Sequence, residues 1–206
     1  MKKTICLLFS LLLCVSMLPA WAAADDPTPA LEDAKFVDFD DMTFWINGQK
    51  FTLGVNTLQD MIDAGVVFDA EDMEDVNNNL RKNSQSDGFT FYITEHCYAI
   101  VKVMNATGKG KRLADCVLSR IYVTFREHTE EAKDSILTFA FPFDLTKEQL
   151  LENAGEPDDK SHCDGSQYYS DTYEYRKSGS RYFGYNKINF DFQNEILTYF
   201  TMEYLP

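Results

Sequence analysis

Two stretches of this chain, ninety residues apart, follow one plan, and that echo limits the folds open to it more than any other feature. In LGVNTLQDMIDAGVVFD (Leu53–Asp69), Asn56 is the expected helix N-cap, with Gln59 three residues on. In FPFDLTKEQLLENAGEPDD (Phe141–Asp159), Thr146 is the expected cap and Gln149 follows at the same distance. Both fit the capping-box spacing, in which side chains satisfy the first N–H groups of a helix. Val55 and Leu145 precede the caps, where an apolar residue staples the first turn. Both segments close on Ala-Gly, Ala64-Gly65 and Ala154-Gly155, with glycine supplying a left-handed exit. The expectation is an α+β chain of two tandem helix-on-antiparallel-sheet repeats, two-layered, over residues 42–132 and 133–206.

The first 24 residues carry a different signal. Lys2 and Lys3 precede a nearly unbroken apolar run, Ile5–Leu18, and small-residue cleavage sites follow at Ala20-Trp21-Ala22 and Ala22-Ala23-Ala24. The run is shorter than the ~20 residues a membrane span needs, so residues 1–24 read as a signal peptide. Bulky Leu13 before Cys14 disfavours lipoprotein processing, so membrane association is expected only if Cys14 is lipidated. A secreted or cell-envelope location follows, with residues 25–41 as a Pro/Asp/Ala-rich linker that becomes ordered near Phe36.

The chain has 19 Lys and Arg against 33 Asp and Glu, a formal net charge of −14, and loss of Lys2 and Lys3 makes it more negative. Nucleic acid and anionic membrane surfaces both demand a basic footprint, so neither is an expected partner. The charge suits a soluble extracellular protein or a basic partner.

Within the first repeat, Met42–Ile46 and Lys50–Leu53 flank Asn47-Gly48, a dipeptide that tolerates the positive φ angles of a type I′ hairpin turn. Leu58, Met61 and Ile62 form the buried stripe of the first helix. A second helix is expected over Asp69–Arg81, where Met73, Val76 and Leu80 recur at helical spacing. Strands are expected at Phe89–Thr94, Cys97–Asn105 and Cys116–Arg126, and a charged boundary at Glu127–Lys133. In the second repeat they fall at Ile136–Phe141, Tyr168–Tyr175, Ser180–Tyr185, Lys187–Phe192 and Ile196–Glu203. Ile188, Phe190 and Phe192 alternate with polar residues, so one face is buried. A three-residue turn near Gln193-Asn194 would add Ile196, Phe200 and Met202 to that face; a two-residue turn would add Leu197 and Tyr199.

The motifs of chemistry are thin. Acidic Asp69, Glu71, Asp72, Glu74 and Asp75 lack the ligand order, central glycine and closing Glu of a calcium loop, and read as a solvated helix face. No zinc-ligand spacing, P-loop, GxSxG or dinucleotide fingerprint occurs, so no metal, no cofactor and no catalytic residue is assigned. His162-Cys163 alone resembles nucleophilic chemistry, and catalytic groups are assembled in space rather than as sequence neighbours. Cys97 and Cys116 lie on neighbouring strand candidates across the Gly-rich turn, so an exported chain favours a disulfide between them; the alternative is two buried thiols. Cys163 is left as a reactive thiol, a dimer bridge or an idle exposed cysteine.

Aromatics crowd the second half. Tyr168, Tyr173, Tyr175, Tyr182 and Tyr199 offer rigid apolar area with a hydroxyl handle, which suits a protein interface. A helix layer covers only one side of a sheet, so the other is free for recognition. The helix ending in Ala154-Gly155-Glu156-Pro157-Asp158, the Tyr-rich strand and the hairpin INFDFQNEILTYFTMEY together resemble the repeat unit of β-lactamase-inhibitor-protein-like domains. They are similar also to the small outer-membrane-assembly lipoproteins. The resemblance spans about residues 42–206 and is strongest over 141–204; in the first repeat Gly65 is followed by Val66-Val67 instead of the G-x-P pattern. It implies two tandem units whose sheets form a concave surface, through which the inhibitor members bind a secreted enzyme. The expected function is a non-catalytic, exported protein-binding module, or alternatively a cell-envelope structural or assembly protein of the same fold.

Overall fold

The computed structural model describes residues 34–125, 132, 136–165, 169–178 and 184–205. The chain opens with a hairpin of β1 (Thr43–Ile46) and β2 (Gln49–Thr52), turned by Asn47 (φ 52°) and Gly48 (φ 77°). Both turn residues adopt the positive φ that their types tolerate. Helix α1 (Leu58–Asp63) follows, then α2 (Ala70–Glu74). Short strands β3 (Asn79–Leu80) and β4 (Ser84–Gln85) lead into β5 (Phe89–Tyr92) and β6 (Tyr98–Asn105). β7 (Lys111–Arg112) and a 3₁₀ turn precede β8 (Val117–Thr124). After β9 (Leu137–Thr138) and helix α3 (Lys147–Ala154) come β10 (Asp159–Asp164), β11 (Tyr169–Ser178), β12 (Tyr185–Gln193) and β13 (Ile196–Glu203).

One antiparallel eight-stranded sheet dominates, in the order β10-β11-β12-β13-β8-β6-β4, with β5 also paired to β6. A smaller sheet, β2-β1-β9, packs on its inner face. Phenylalanines hold the two layers together. Phe139 and Phe141 each lie 4.7 Å from Phe200 of β13 between ring centroids, and Phe44 of β1 is 6.3 Å from Phe139. Leu58 and Met61 of α1 and Leu150 of α3 add to the same core. Phe36, Val37 and Phe39 pack against its rim, and Asn153 of α3 accepts a hydrogen bond from Phe36 N at 2.8 Å.

The expected balanced α+β pair of helix-on-sheet repeats does not form. Strands hold 46% of the described residues and helices 15%, and the large sheet continues from β8 to β13 across the expected boundary. The cause is local. The two capped segments are only six and eight residues long and place few side chains in the core, while alternating aromatic and β-branched residues fill the strands. Of the boundary segment Glu127–Lys133, only Ala132 is described, and it is buried. The leader and most of the linker lie outside the described residues, as does most of the strand expected at Ser180–Tyr185.

Smaller corrections are equally physical. Thr146 caps α3 as expected, with Gln149 completing the box, but α1 is capped by Thr57, not Asn56. Thr57 and Asp60 form the reciprocal pair, while the Asn56 carboxamide accepts from Thr52 N at 2.9 Å. The helix expected to Arg81 stops at Glu74, where Asn77-Asn78-Asn79 favours turning over helix, and Asn79–Leu80 pairs with β7 instead. The β12–β13 turn has two residues, Asn194 and Glu195, both at positive φ. Leu197 is therefore buried, but a bulge at Thr198 then shifts the alternation so that Phe200 and Met202 are buried and Tyr199 is not.

Cys97 and Cys116 are not bridged. The register pairs Met104 with Val117, which puts Cys116 near one end of the β6–β8 pair and Cys97 at the other. Seven residues of strand separate those ends, about 23 Å, against the less than ~7 Å between Cα atoms that a disulfide allows. The Cys116 thiol instead donates to the Arg112 carbonyl at 3.2 Å.

Candidate functional site

Strand pairing assigns each sheet residue a face. On the inner side lie Phe89 and Phe91, Val101, Ile121, Met202, Ile188 and Tyr175, all in the core. On the outer side three rows run across the strands. The first is Tyr92, Tyr98, Thr124, Tyr199, Asp191, Thr172, Ser161. The second is Thr90, Ile100, Tyr122, Thr201, Asn189, Glu174, Asp159, and the third is Lys102, Arg120, Glu203, Lys187, Arg176. Most of these residues keep partial exposure, and the helix residues that are buried enter the inner side.

The aromatic half of this face is organised. Tyr122 and Tyr199 stack, with centroids 5.9 Å apart and planes 18° from parallel; Tyr92 and Tyr98 meet edge to face at 6.5 Å. Thr124 is fully buried between Tyr98, Tyr122 and Tyr199, so the rings close over the strand floor. Burial, with Tyr199 and Tyr98 alongside, pushes the Tyr122 phenol up to about 12. The Tyr122 hydroxyl therefore stays a neutral hydrogen-bonding group at any physiological pH.

The sequence-expected tyrosines divide between faces. Tyr199 is on the outer side. Tyr173 and Tyr175 are on the inner side: Tyr173 packs edge-on against Phe192 at 5.7 Å, and Tyr175, 4% exposed, donates its hydroxyl to the Gly155 carbonyl at 3.0 Å. Tyr168 and Tyr182 lie outside the described residues. Tyr92, Tyr98 and Tyr122, not among the tyrosines expected from the sequence, come from the expected first repeat, residues 42–132. Their signal was present in the alternation Tyr98-x-Ile100-x-Lys102 and Arg120-x-Tyr122-x-Thr124. Among the described residues no three His, Cys, Asp or Glu side chains converge as metal ligands, and no helix is long and apolar enough to cross a membrane. No family model, curated protein or solved structure matches the chain.

Two carboxylates on the paired strands β11 and β12 have opposite surroundings. Asp171, on the inner side near the sheet edge, is held by Lys147 of α3 and by His162 Nδ1 at 2.5 Å. Lys147 also reaches Glu195 at 2.9 Å and sits 5.4 Å over the Tyr169 ring. Burial pulls the Lys147 ammonium down, but its hydrogen bonds to Asp171 and Glu195 outweigh that and raise it. The Lys147 bond keeps Asp171 below its ordinary range despite burial, with His162 adding to the effect. Asp191, on the outer side, accepts a hydrogen bond from Thr172 Oγ1 and no ion pair reaches it among the described residues. Burial pushes this carboxyl up, against the opposing pull of the Thr172 hydroxyl, and nearby Glu174 adds to the rise.

His162 and Cys163 do not act together. The segment is the edge strand β10, where successive side chains face opposite sides: His162 pairs across from Asp171, and Cys163 from Ser170. The imidazole is committed to Asp171 and Asp164, 2.5 and 3.0 Å from its two nitrogens.

Proposed function

We propose that this chain is an exported, non-catalytic module that binds a protein through the outer face of its large sheet. The observation that carries the reading is the patch of tyrosines and Ile100 on β5, β6, β8 and β13, which no described helix or second sheet covers and which a closely packed core backs. Rigid aromatic side chains already stacked on one another lose little conformational freedom on docking, which favours them as anchors. Seven strands at ~4.8 Å spacing make the face about 30 Å wide, on the scale of the roughly 800 Å² per partner of a standard interface. The division of His162 and Cys163 between faces supports the non-catalytic reading.

Site-specific photo-crosslinking tests it. Benzoylphenylalanine is placed at Ile100 or Tyr98 on the outer face, and at Val55 or Val67, which flank helix α1 and are 69% and 82% exposed, as controls. Irradiation of the producing cells and their medium should give one discrete protein adduct from the outer positions alone. An adduct that co-fractionates with the envelope would favour an assembly role over a soluble partner. Equal adducts from the controls, or none from the face, would remove the proposal.

A further inference from the structure

We propose that Asp191 and the adjacent Tyr122–Tyr199 ring pair form a seat for one cationic side chain, arginine or lysine, presented by the protein that docks on the outer face. This rests on the docking reading above.

The argument begins with an unbalanced charge. The Asp191 carboxylate is partly buried, with Tyr199 as its cross-strand neighbour on one side and Thr172 on the other. Its row across the sheet contains no basic residue. The bases of the outer face stand in the third row, where Lys102 is three strands away from Asp191 and the other three already serve other acids. Arg120 meets Glu203 at 2.5 Å, Lys187 meets Glu174 at 3.6 Å, and Arg176 binds Glu174 and Asp159. A desolvated carboxylate with a hydroxyl as its partner costs stability, and a core-building strand has no use for it. At a recognition face the same group gains an ion pair when a partner excludes the remaining water.

The surroundings select the kind of cation. Tyrosine faces attract a guanidinium or ammonium through their quadrupole, and the stacked Tyr122–Tyr199 pair stands beside the carboxylate. A divalent metal would require several oxygen ligands, and no three acidic, His or Cys side chains converge among the described residues. An anionic partner is repelled. A second copy of this chain, with a formal net charge of −14, is disfavoured on the same ground.

The test uses the mature, ¹⁵N-labelled protein and three blocked tripeptides: acetyl-Gly-Arg-Gly-amide, its lysine counterpart, and its citrulline counterpart, which has nearly the shape of arginine without the charge. The arginine and lysine peptides should saturably shift the amide signals of Tyr122, Thr172, Asp191 and Tyr199, and the citrulline peptide should not. Asp191→Asn should weaken the arginine peptide at least about tenfold, and Glu71→Gln, an acid on α2, should leave it unchanged. Thr172→Lys supplies an internal amine beside the carboxylate and should block the peptide even if Asp191→Asn fails to fold. Equal shifts with citrulline, shifts spread over the Asp69–Asp75 segment, or unaltered affinity in both variants would overturn the seat. Failure of the peptides alongside an intact crosslink at Ile100 rejects the cation seat alone. Loss of the crosslink with saturable peptide binding rejects the docking reading instead.

Discussion

Asp171 and Asp191 occupy neighbouring rungs of one strand pair, since Asp171 opposes Phe192 and Asp191 opposes Thr172, yet they face opposite sides of the sheet. Asp171 is enclosed by Lys147 and His162, and its proton affinity falls; Asp191 has a hydroxyl for company, and its proton affinity rises. The matched acid belongs to the machinery that seats helix α3 and the β12–β13 turn against the edge of the sheet, because Lys147 reaches both Asp171 and Glu195. The unmatched acid contributes nothing comparable to folding. A charge that no described base neutralises, on a face that no described helix covers, is the feature on which the proposed cation seat rests.

The largest effect separating the two faces should come from adjacent residues of β13. Phe200→Ala removes an inner aromatic that is 1% exposed and should cost about 3–5 kcal/mol in urea unfolding, whereas Tyr199→Ala on the outer side should cost about 1 kcal/mol. Similar costs would break the division of faces.

Next in size is Lys147→Met, which leaves Asp171 with His162 as its remaining partner and Glu195 without its lysine, and should destabilise by about 2–3 kcal/mol, measured the same way near neutral pH. A neutral result would mean that the matched cluster is a surface ornament.

Asp191→Asn should do the reverse. A carboxyl with a raised folded-state pKa contributes its stability below the unfolded value near 3.8 and loses it as pH rises through the folded value. The variant should therefore equal or exceed the parent by up to about 1 kcal/mol at pH 7, and the gap should close below about pH 4. A clear loss at pH 7 would show that the carboxylate supports the fold after all.

The smallest effect concerns the edge strand. Hydrogen bonds to Asp171 and then Asp164 raise the His162 pKa, so its support for β10 is complete below about 6.5 and fades as pH rises through the folded-state value. Amide exchange in β10, corrected for the intrinsic pH dependence, should become several-fold faster on that rise, and His162→Gln should abolish the dependence. Pressing the pH above the histidine range without any change in β10 would show that α3 and β11 alone hold the strand.

Much of this was legible in the residues. Asn47-Gly48 turns as its type demands, Thr146 with Gln149 opens α3, and Ile188, Phe190 and Phe192 line the core as their alternation requires. Local chemistry decides each of these, so local sequence reveals them. What escaped depends on partners distant in sequence. β10, DKSHCD, has no strand-forming composition and pairs because β11 offers an edge. Asn56 and Thr57 are both competent caps, and Asn56 is diverted by Thr52 and Leu118. The Cys97–Cys116 expectation failed because the hairpin is centred later than the Thr107–Lys111 turn suggested, which moves the cysteines to opposite ends. The Asp191 site was invisible because charge matching across three strands cannot be read along one.

The bulge at Thr198 sets the parity of everything after it in β13. With Thr198 retained but the bulge straightened, a continuous count from Leu197 would send Tyr199 inward and Phe200 and Met202 to the solvent. The bulge thus absorbs one unit of chain and keeps the inside and outside of the strand's last residues as they would be without it. A chain lacking Thr198 would consequently still display Tyr199 beside Asp191, on a regular strand, whereas a further residue inserted after Leu197 and not absorbed by the bulge would turn it inward.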